Sequence, residues 1–252
     1  MTKKKVILIG ASGTLGKYFF ENLAKDKNIS IICGADNNLK TDLKSKNKKF
    51  ELDLSKEMEI KKFFEKLKKL YGKFDCLINN AAYTTEAALK ENKFKKKDYF
   101  NTNNWRKNVD INLTGVFLSI KYFFEYHNDK KKLQKIITTG SIYGSNSPDH
   151  TIYEKENFFS TLGYTSTKAG LIGLNKWLSK KFASQNIRSN LISPGGVFNK
   201  HSRRFQKNYL KNIPLKRMAN QKDIYEVLKF LIDDGSNYIN GENIHVDGGF
   251  SA

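Results

Sequence analysis

Apolar and polar positions along this chain alternate between two periods. Short runs rich in β-branched and aliphatic residues, Val6 to Ile9, Ser30 to Ala35, Cys76 to Asn79, Lys135 to Thr139, Arg188 to Ser193 and Asn243 to Val246, have the length of buried strands. Between them, apolar residues recur three and four apart. Ile60, Phe63, Phe64, Leu67 and Leu70 make one stripe, and Leu171, Leu174, Leu178 and Phe182 another, each suited to covering a sheet face. Strands that alternate with amphipathic helices predict an α/β fold, a doubly wound parallel sheet of about seven strands, because parallel neighbours need a crossover and a helix supplies it. Such a sheet binds ligands beyond the carboxyl ends of its strands, so function is sought in the residues that directly follow each strand. Ser145 to Gly163, with Pro148, His150, Tyr153 and the pair Phe158-Phe159, is too polar and broken for a helix and is a candidate substrate loop.

Composition narrows the class. With 252 residues, three prolines and no linker-like stretch, the chain suits one domain, residues 1–252, large enough for a continuous core. No window approaches the roughly 18 apolar residues of a membrane span. The basic start Met-Thr-Lys-Lys-Lys leads into a strand-like run too short for a secretory leader, so a cytoplasmic protein with no membrane partner is expected. Cys33 and Cys76 sit inside strand-like runs and lack metal-ligand spacing; buried thiols are expected, and no metal. The net charge of +20 is compatible with a nucleic acid or an anionic membrane surface. Its lysines are scattered, as in Lys61-Lys62 and Lys130-Lys131-Lys132, and solvated helix faces account for them without a nucleic-acid partner.

Directly after the first strand-like run comes Gly10-Ala11-Ser12-Gly13-Thr14-Leu15-Gly16, and a helical pattern follows. Glycines there permit a tight turn and let backbone amides approach a pyrophosphate at the helix's positive end, although three glycines can also simply make a turn. Asp36, twenty positions beyond Gly16 and directly after the second run, can accept hydrogen bonds from a ribose diol and would repel a 2′-phosphate. NAD is therefore expected in preference to NADP. The competing reading is a turn aspartate beside Asn37 and Asn38, with Lys40 in reach of a phosphate.

Gly10 to Gly16, Asp53-Leu54, Asn79-Asn80-Ala81-Ala82, Asn112 in Val-Asp-Ile-Asn-Leu-Thr-Gly, Ser141, Tyr164-Thr-Ser-Thr-Lys168, Ser193-Pro194-Gly195 and Val246-Asp247-Gly248-Gly249 occur in the order seen in the short-chain dehydrogenases/reductases, which the chain resembles over nearly its whole length. The resemblance implies a Rossmann-type fold, a homotetramer or homodimer, and a catalytic set of Asn112, Ser141, Tyr164 and Lys168. Tyr164 would exchange a proton with a substrate hydroxyl or carbonyl, Ser141 would hydrogen-bond the substrate oxygen, and Asn112 would hold a water in a relay reaching Lys168. Four-residue spacing puts Tyr164 and Lys168 on one helix side, and an ammonium beside a phenol is expected to draw the phenol's pKa down from about 10. By the same resemblance Asp53 and Leu54 contact adenine, Asn80 and Ala81 line the ribose, and Pro194 to Val197, Gly195 included, run along the nicotinamide. Asp53 also reads as a helix N-cap, a role compatible with the first. Val246 to Gly249 is expected at the sheet edge, without a chemical role.

Three features depart from the family pattern. Gly13-Thr14 is a spacing commoner in the longer branch that modifies sugar nucleotides, and Asn199 stands where a threonine often follows the Pro-Gly turn. The 22 residues between Ser141 and Tyr164 form an insertion, and the content of His150, Tyr153, Glu154, Lys155 and Glu156 suits a polar substrate. With Ile213 to Met218, this stretch resembles members from bacterial surface-sugar pathways, including flagellin modification with nonulosonic acids. The basic segment 198–216, with His201, Arg203, Arg204, Lys207 and Lys211, is either a clamp for a sugar phosphate or nucleotide sugar or a solvated helix face. The expected function is alcohol–ketone interconversion on a polar, sugar-derived small molecule. A 3-oxoacyl thioester reductase and a non-catalytic dinucleotide sensor are the alternatives.

Overall fold

In the computed structural model, which describes residues 3–42, 47–84, 98–156 and 158–252, the described residues form one seven-stranded sheet. Its strands are β1 (Lys4–Ile9), β2 (Ile29–Asp36), β3 (Lys48–Glu51), β4 (Cys76–Asn79), β5 (Gln134–Thr139), β6 (Ile187–Pro194) and β7 (Asn243–Val246). They lie in the order β3-β2-β1-β4-β5-β6-β7, every neighbouring pair parallel. The order reverses between β1 and β4, and that switch point is where a doubly wound sheet opens a crevice.

Alternate residues of each strand feed opposite cores. Ile7 and Ile9 of β1 join Leu77 and Ile136 beneath the helices α2 (Glu57–Tyr71), α4 (Gly115–His127) and α5 (Leu162–Phe182). Val6 and Leu8 join Ile78, Ile137 and Ile192 beneath α1 (Thr14–Leu23) and α7 (Gln221–Ile232). The chain is completed by α3 (Thr102–Asn108), which runs through a π-helical turn, Val109–Thr114, into α4, and by α6 (Arg203–Tyr209). Among the described residues no helix is long and apolar enough to cross a membrane. Both cysteines are buried, as expected.

Local sequence explains where the helices start and stop. Glu57 and Glu59 in the first turn of α2, and Lys68 and Lys69 in its last, complement the helix dipole, and Gly72 at φ +73° ends it. α7 begins at a reciprocal capping box between Asn220 and Asp223. Two expectations need correction. Leu70 is 47 % exposed, since the buried stripe of α2 ends at Leu67. Strand β3, absent from the sequence reading, pairs at the sheet edge and buries only Phe50, so its polar residues carry little strand signal.

His127, at the end of α4, is fully buried among the rings of Phe64, Phe74 and Phe123, its Nε2 3.1 Å from the Phe64 carbonyl. Burial lowers its pKa from 6.5 to about 4. Between those values the unfolded chain binds a proton that the folded one refuses, so stability is complete above pH 6.5 and falls as acid is added. The shift corresponds to roughly 3 kcal/mol. Denaturant unfolding at pH 7 and pH 4.5 should show this loss, and His127→Gln should remove most of the difference between the two pH values.

Candidate active site

The carboxyl ends of β1, β4, β5 and β6 open onto one cleft of about 930 Å³. At its floor the chain leaves β1 through Gly10, φ +84°, where a side chain would strike the backbone of Asn80 and Ala81. A Cβ at Gly16 would strike the Gly10 carbonyl, so Gly16 lies under the loop and does not line the cleft. Gly13, the N-cap of α1, differs: a Cβ there would meet nothing within 4 Å. Its smallness keeps clear the space before the first turn of α1, which no side chain caps and whose Thr14 and Leu15 line the cleft. Uncapped amides at a helix N-terminus suit an anion such as a pyrophosphate.

Asp36 ends β2 in the same cleft. Its carboxylate accepts hydrogen bonds from the Ser12 amide (3.2 Å) and the Asn38 amide (3.1 Å). The second bond is the turn of the competing reading; a carboxylate retains acceptor capacity for a diol, so the two roles coexist. Lys40 is exposed and does not line the cleft. Asp53 accepts from the Ser55 amide (2.9 Å) and hydroxyl (2.7 Å), bracing the turn before α2; the N-cap itself is Lys56, so the N-cap reading of Asp53 is corrected by three residues. Asp53 and Leu54 both line the cleft. Asn80 donates to the Gly10 carbonyl (2.9 Å) and accepts from the Thr139 hydroxyl (3.0 Å), tying together the ends of three strands. Pro194, Gly195 and Val197 line the far side, where Gly195 donates to Val246 of the edge strand β7. These residues fit a dinucleotide: an open amide cradle, a carboxylate after β2, and a groove between them.

The opposite half holds the candidate catalytic groups. Ser141 follows β5 and caps a short 3-10 turn, Ile142–Gly144, its Oγ accepting from the Tyr143 amide (3.1 Å). That bond occupies a lone pair and leaves the Ser141 proton to donate elsewhere. Gly144 lets the turn lie on α5, since a Cβ there would come within 2.8 Å of the Lys168 carbonyl oxygen. Thr161 caps α5 by accepting from the Tyr164 amide (3.2 Å), which fixes Tyr164 in the first turn. One turn on, Lys168 is 2 % exposed; its Nζ donates to the Thr139 carbonyl (2.7 Å) and lies 5.6 Å from the Tyr164 ring centre. Ser141, Tyr164 and Lys168 thus line one stretch of the cleft.

Their electrostatics amend the expectation for the phenol. Burial raises the Tyr164 pKa above the usual tyrosine value, and a hydrogen bond from Ser141 opposes the rise. Burial also pulls the Lys168 ammonium down to about 8. For both groups desolvation is the larger influence, and at Tyr164 it outweighs the Ser141 hydrogen bond.

Asn112 is fully buried behind the cleft, inside the π-helical turn, where Gly115 donates to the Asp110 carbonyl five residues back. Its amide accepts from the Tyr83 backbone (2.6 Å) and donates to the Tyr83 carbonyl (3.1 Å) and to Asn108 Oδ1 (3.0 Å). Asn108 donates in turn to Asn104 Oδ1 (3.0 Å), so three asparagines four residues apart form an amide ladder. The Asn112 side chain therefore braces the Tyr83 backbone and does not itself reach the cleft.

Two expectations about the substrate side are corrected. Of the basic segment's named residues only His201 lines the cleft. Helical spacing turns Phe205 and Tyr209 inward and leaves Arg203, Arg204, Lys207 and Lys211 exposed, so the solvated face is the form the segment takes. The 145–163 loop meets the cleft with Tyr153, Phe158, Phe159 and Ser160. His150, Glu154 and Lys155 stay outside, and Glu156 is buried accepting from Ser202 (2.8 Å). Sequence reading missed Tyr143, Phe205 and Tyr209. The four-residue spacing of Phe205 and Tyr209 was a usable signal, obscured by four neighbouring cations.

Comparisons agree with this geometry. A family model described as enoyl-(acyl carrier protein) reductase matches residues 34–251. A 3-oxoacyl-(acyl-carrier-protein) reductase of Buchnera aphidicola is 32 % identical over 98 % of this chain and 97 % of its own. The post-translational flagellin modification protein A of Campylobacter coli is 27 % identical over 99 % of both. A short-chain dehydrogenase of Leptospira borgpetersenii, solved with bound NAD+, superposes with a TM-score of 0.87 at 32 % identity, covering 100 % of this chain and 94 % of that one. The chain belongs to the short-chain dehydrogenase/reductase family of oxidoreductases.

Proposed function

We propose that this oxidoreductase is NAD-dependent and interconverts a secondary alcohol and a ketone on a polar, sugar-derived substrate. The observation that carries the reading is the pairing, in one cleft, of the Asp36 carboxylate with the Ser141–Tyr164–Lys168 group. When bound, the cofactor supplies or accepts the hydride. In the reducing direction Tyr164 gives its phenolic proton to the carbonyl oxygen, and Ser141 donates to the same oxygen as charge builds on it. Lys168, held on the Thr139 carbonyl, stabilises the phenolate left behind. Asn112 acts from outside the cleft by fixing the Tyr83 backbone and the π-helical turn. Exposed aromatic rings on the outer surfaces of α4 and α5, Phe117 and Trp177, support a homo-oligomer.

Support for a polar, sugar-derived substrate comes from the similarity to the flagellin modification protein of Campylobacter coli and from the polar groups among the aromatic rings of the substrate side, Tyr143, Asn199 and His201. A second reading, reduction of a 3-oxoacyl thioester, is favoured by the Buchnera relative and by the Phe158–Phe205 pair in the wall. The two are separated by assaying the purified protein with NADH or NAD on sugars, sugar phosphates, nucleotide sugars and an acetoacetyl thioester. Turnover confined to the thioester would sink the sugar reading. Whichever substrate is used, Tyr164→Phe should lower kcat by at least about a hundredfold while NADH binding, read by fluorescence, is retained.

The cofactor preference has its own test. Asp36 places a negative charge where a 2′-phosphate would sit, so kcat/KM with NADH should exceed that with NADPH by about tenfold or more, and Asp36→Ala should narrow the gap. Equal turnover with the two cofactors in the wild-type protein would defeat it.

A further inference from the structure

Two phenol hydroxyls meet in the aromatic wall beside the catalytic group. The hydroxyls of Tyr143 and Tyr153 lie 2.8 Å apart, and both residues line the cleft. Phe158 meets Tyr153 edge-on at 5.6 Å, Phe205 packs against it at 5.6 Å, and Phe250 meets Tyr143 edge-on at 6.5 Å. Two phenols hold two protons and share one hydrogen bond, so one proton remains to donate outward. Among the described residues neither hydroxyl has a further hydrogen-bond partner. Either hydroxyl can donate the shared bond; because Tyr153 is buried and Tyr143 only partly so, the arrangement in which Tyr153 donates to Tyr143 is the one that leaves the free proton on the residue nearer the open cleft.

Chain geometry relates that proton to the reacting atoms. Tyr143 stands two residues after Ser141, on the same 3-10 turn, and its amide is bonded to the Ser141 hydroxyl. Ser141, Tyr143 and Tyr164 all line the cleft, so a substrate whose oxygen is held by Ser141 and Tyr164 lies along the same wall as Tyr143. Burial keeps both phenols above their ordinary pKa, so they remain neutral donors at working pH. A donor among aromatic rings is costly to leave dry and unpaired, so it discriminates against substrates with no acceptor there.

We infer that the Tyr143–Tyr153 pair determines specificity by recognising an oxygen on the carbon adjacent to the reacting carbon, selecting α-hydroxy ketones and vicinal diols over simple ketones and alcohols. Tyr143 makes the contact, and Tyr153 is a positioning residue that aims its proton. The inference deepens the polar-substrate reading and rests on it.

The test is a ratio of kcat/KM for two matched ring ketones, 2-hydroxycyclohexanone and cyclohexanone, each reduced with NADH. The wild-type protein should favour the hydroxyketone by about tenfold, as one buried hydrogen bond allows. Tyr143→Phe should bring the ratio close to one, and Tyr153→Phe should give an intermediate value. NADH affinity, measured on every variant, identifies any that has failed to fold, and the ratio compares two substrates within one variant. A wild-type ratio near one, a ratio unchanged in Tyr143→Phe, or no reduction of either ketone overturns the inference. If the hydroxyketone is reduced and the ratio survives Tyr143→Phe, this inference falls alone. If an acetoacetyl thioester is turned over while hydroxyketone and sugars are ignored, the polar-substrate reading falls with it.

Discussion

Close approach of three backbone segments at Gly10 sets the geometry on which the cleft depends. The residue leaves β1 at a positive φ with Ala81 on one side and Gly16 on the other, and a side chain at either glycine would collide with backbone. The contact pulls α1 up to the switch point between β1 and β4, so its uncapped amides face the crevice that the strand order opens. Asn80 reinforces the junction by bridging the Gly10 carbonyl and the Thr139 hydroxyl. Thr139 in turn offers its carbonyl to Lys168. The half proposed to hold the cofactor and the half proposed to be catalytic are thereby joined through a few hydrogen bonds at the ends of β1, β4 and β5.

That joining has an electrostatic cost. Lys168 and Tyr164 are brought together by burying both, and burial opposes the charged form of each. The site holds a phenol that is reluctant to ionise beside an ammonium that is easier than usual to deprotonate. Thr161 and Gly144 keep the two groups in place by starting α5 at Tyr164 and letting the Ser141 turn rest on Lys168.

Much of this was legible in the chain because its causes are local. The strands of the sheet centre are continuous apolar runs, the glycine loop follows one of them directly, and Tyr164 and Lys168 share a helix face by spacing alone. What escaped has tertiary causes. Strand β3 owes its existence to pairing with β2 and buries only Phe50, so no apolar pattern marks it. The bonding of the Asn112 side chain to the Tyr83 backbone, inside a π-helical turn and at the end of an amide ladder, has no mark in the sequence. The cations of segment 198–216 dominate its sequence, yet α6 sends Phe205 and Tyr209 inward; which face is buried depends on the loop packed against it. Neither Glu156 nor Ser202 carries any sequence sign that they will bond each other.

The substrate side is organised differently from the rest. Ile152, Tyr153, Phe159, Phe205, Tyr209 and Ile213 form a small core separate from the two cores on the sheet faces. Its members come from the 145–163 loop and from the segment after β6, and the two are joined by the Glu156–Ser202 hydrogen bond and by the Phe158–Phe205 ring contact. Tyr209 couples this unit to the cofactor side, because its hydroxyl accepts from the Gly196 amide and its ring fills the space a side chain at Gly196 would need. A substitution among the rings can thus reshape the substrate wall while Gly10, Asn80 and Lys168 keep their sheet-end contacts. On the proposed function, chemistry and cofactor would be held by the strand ends, and specificity would rest on this satellite core.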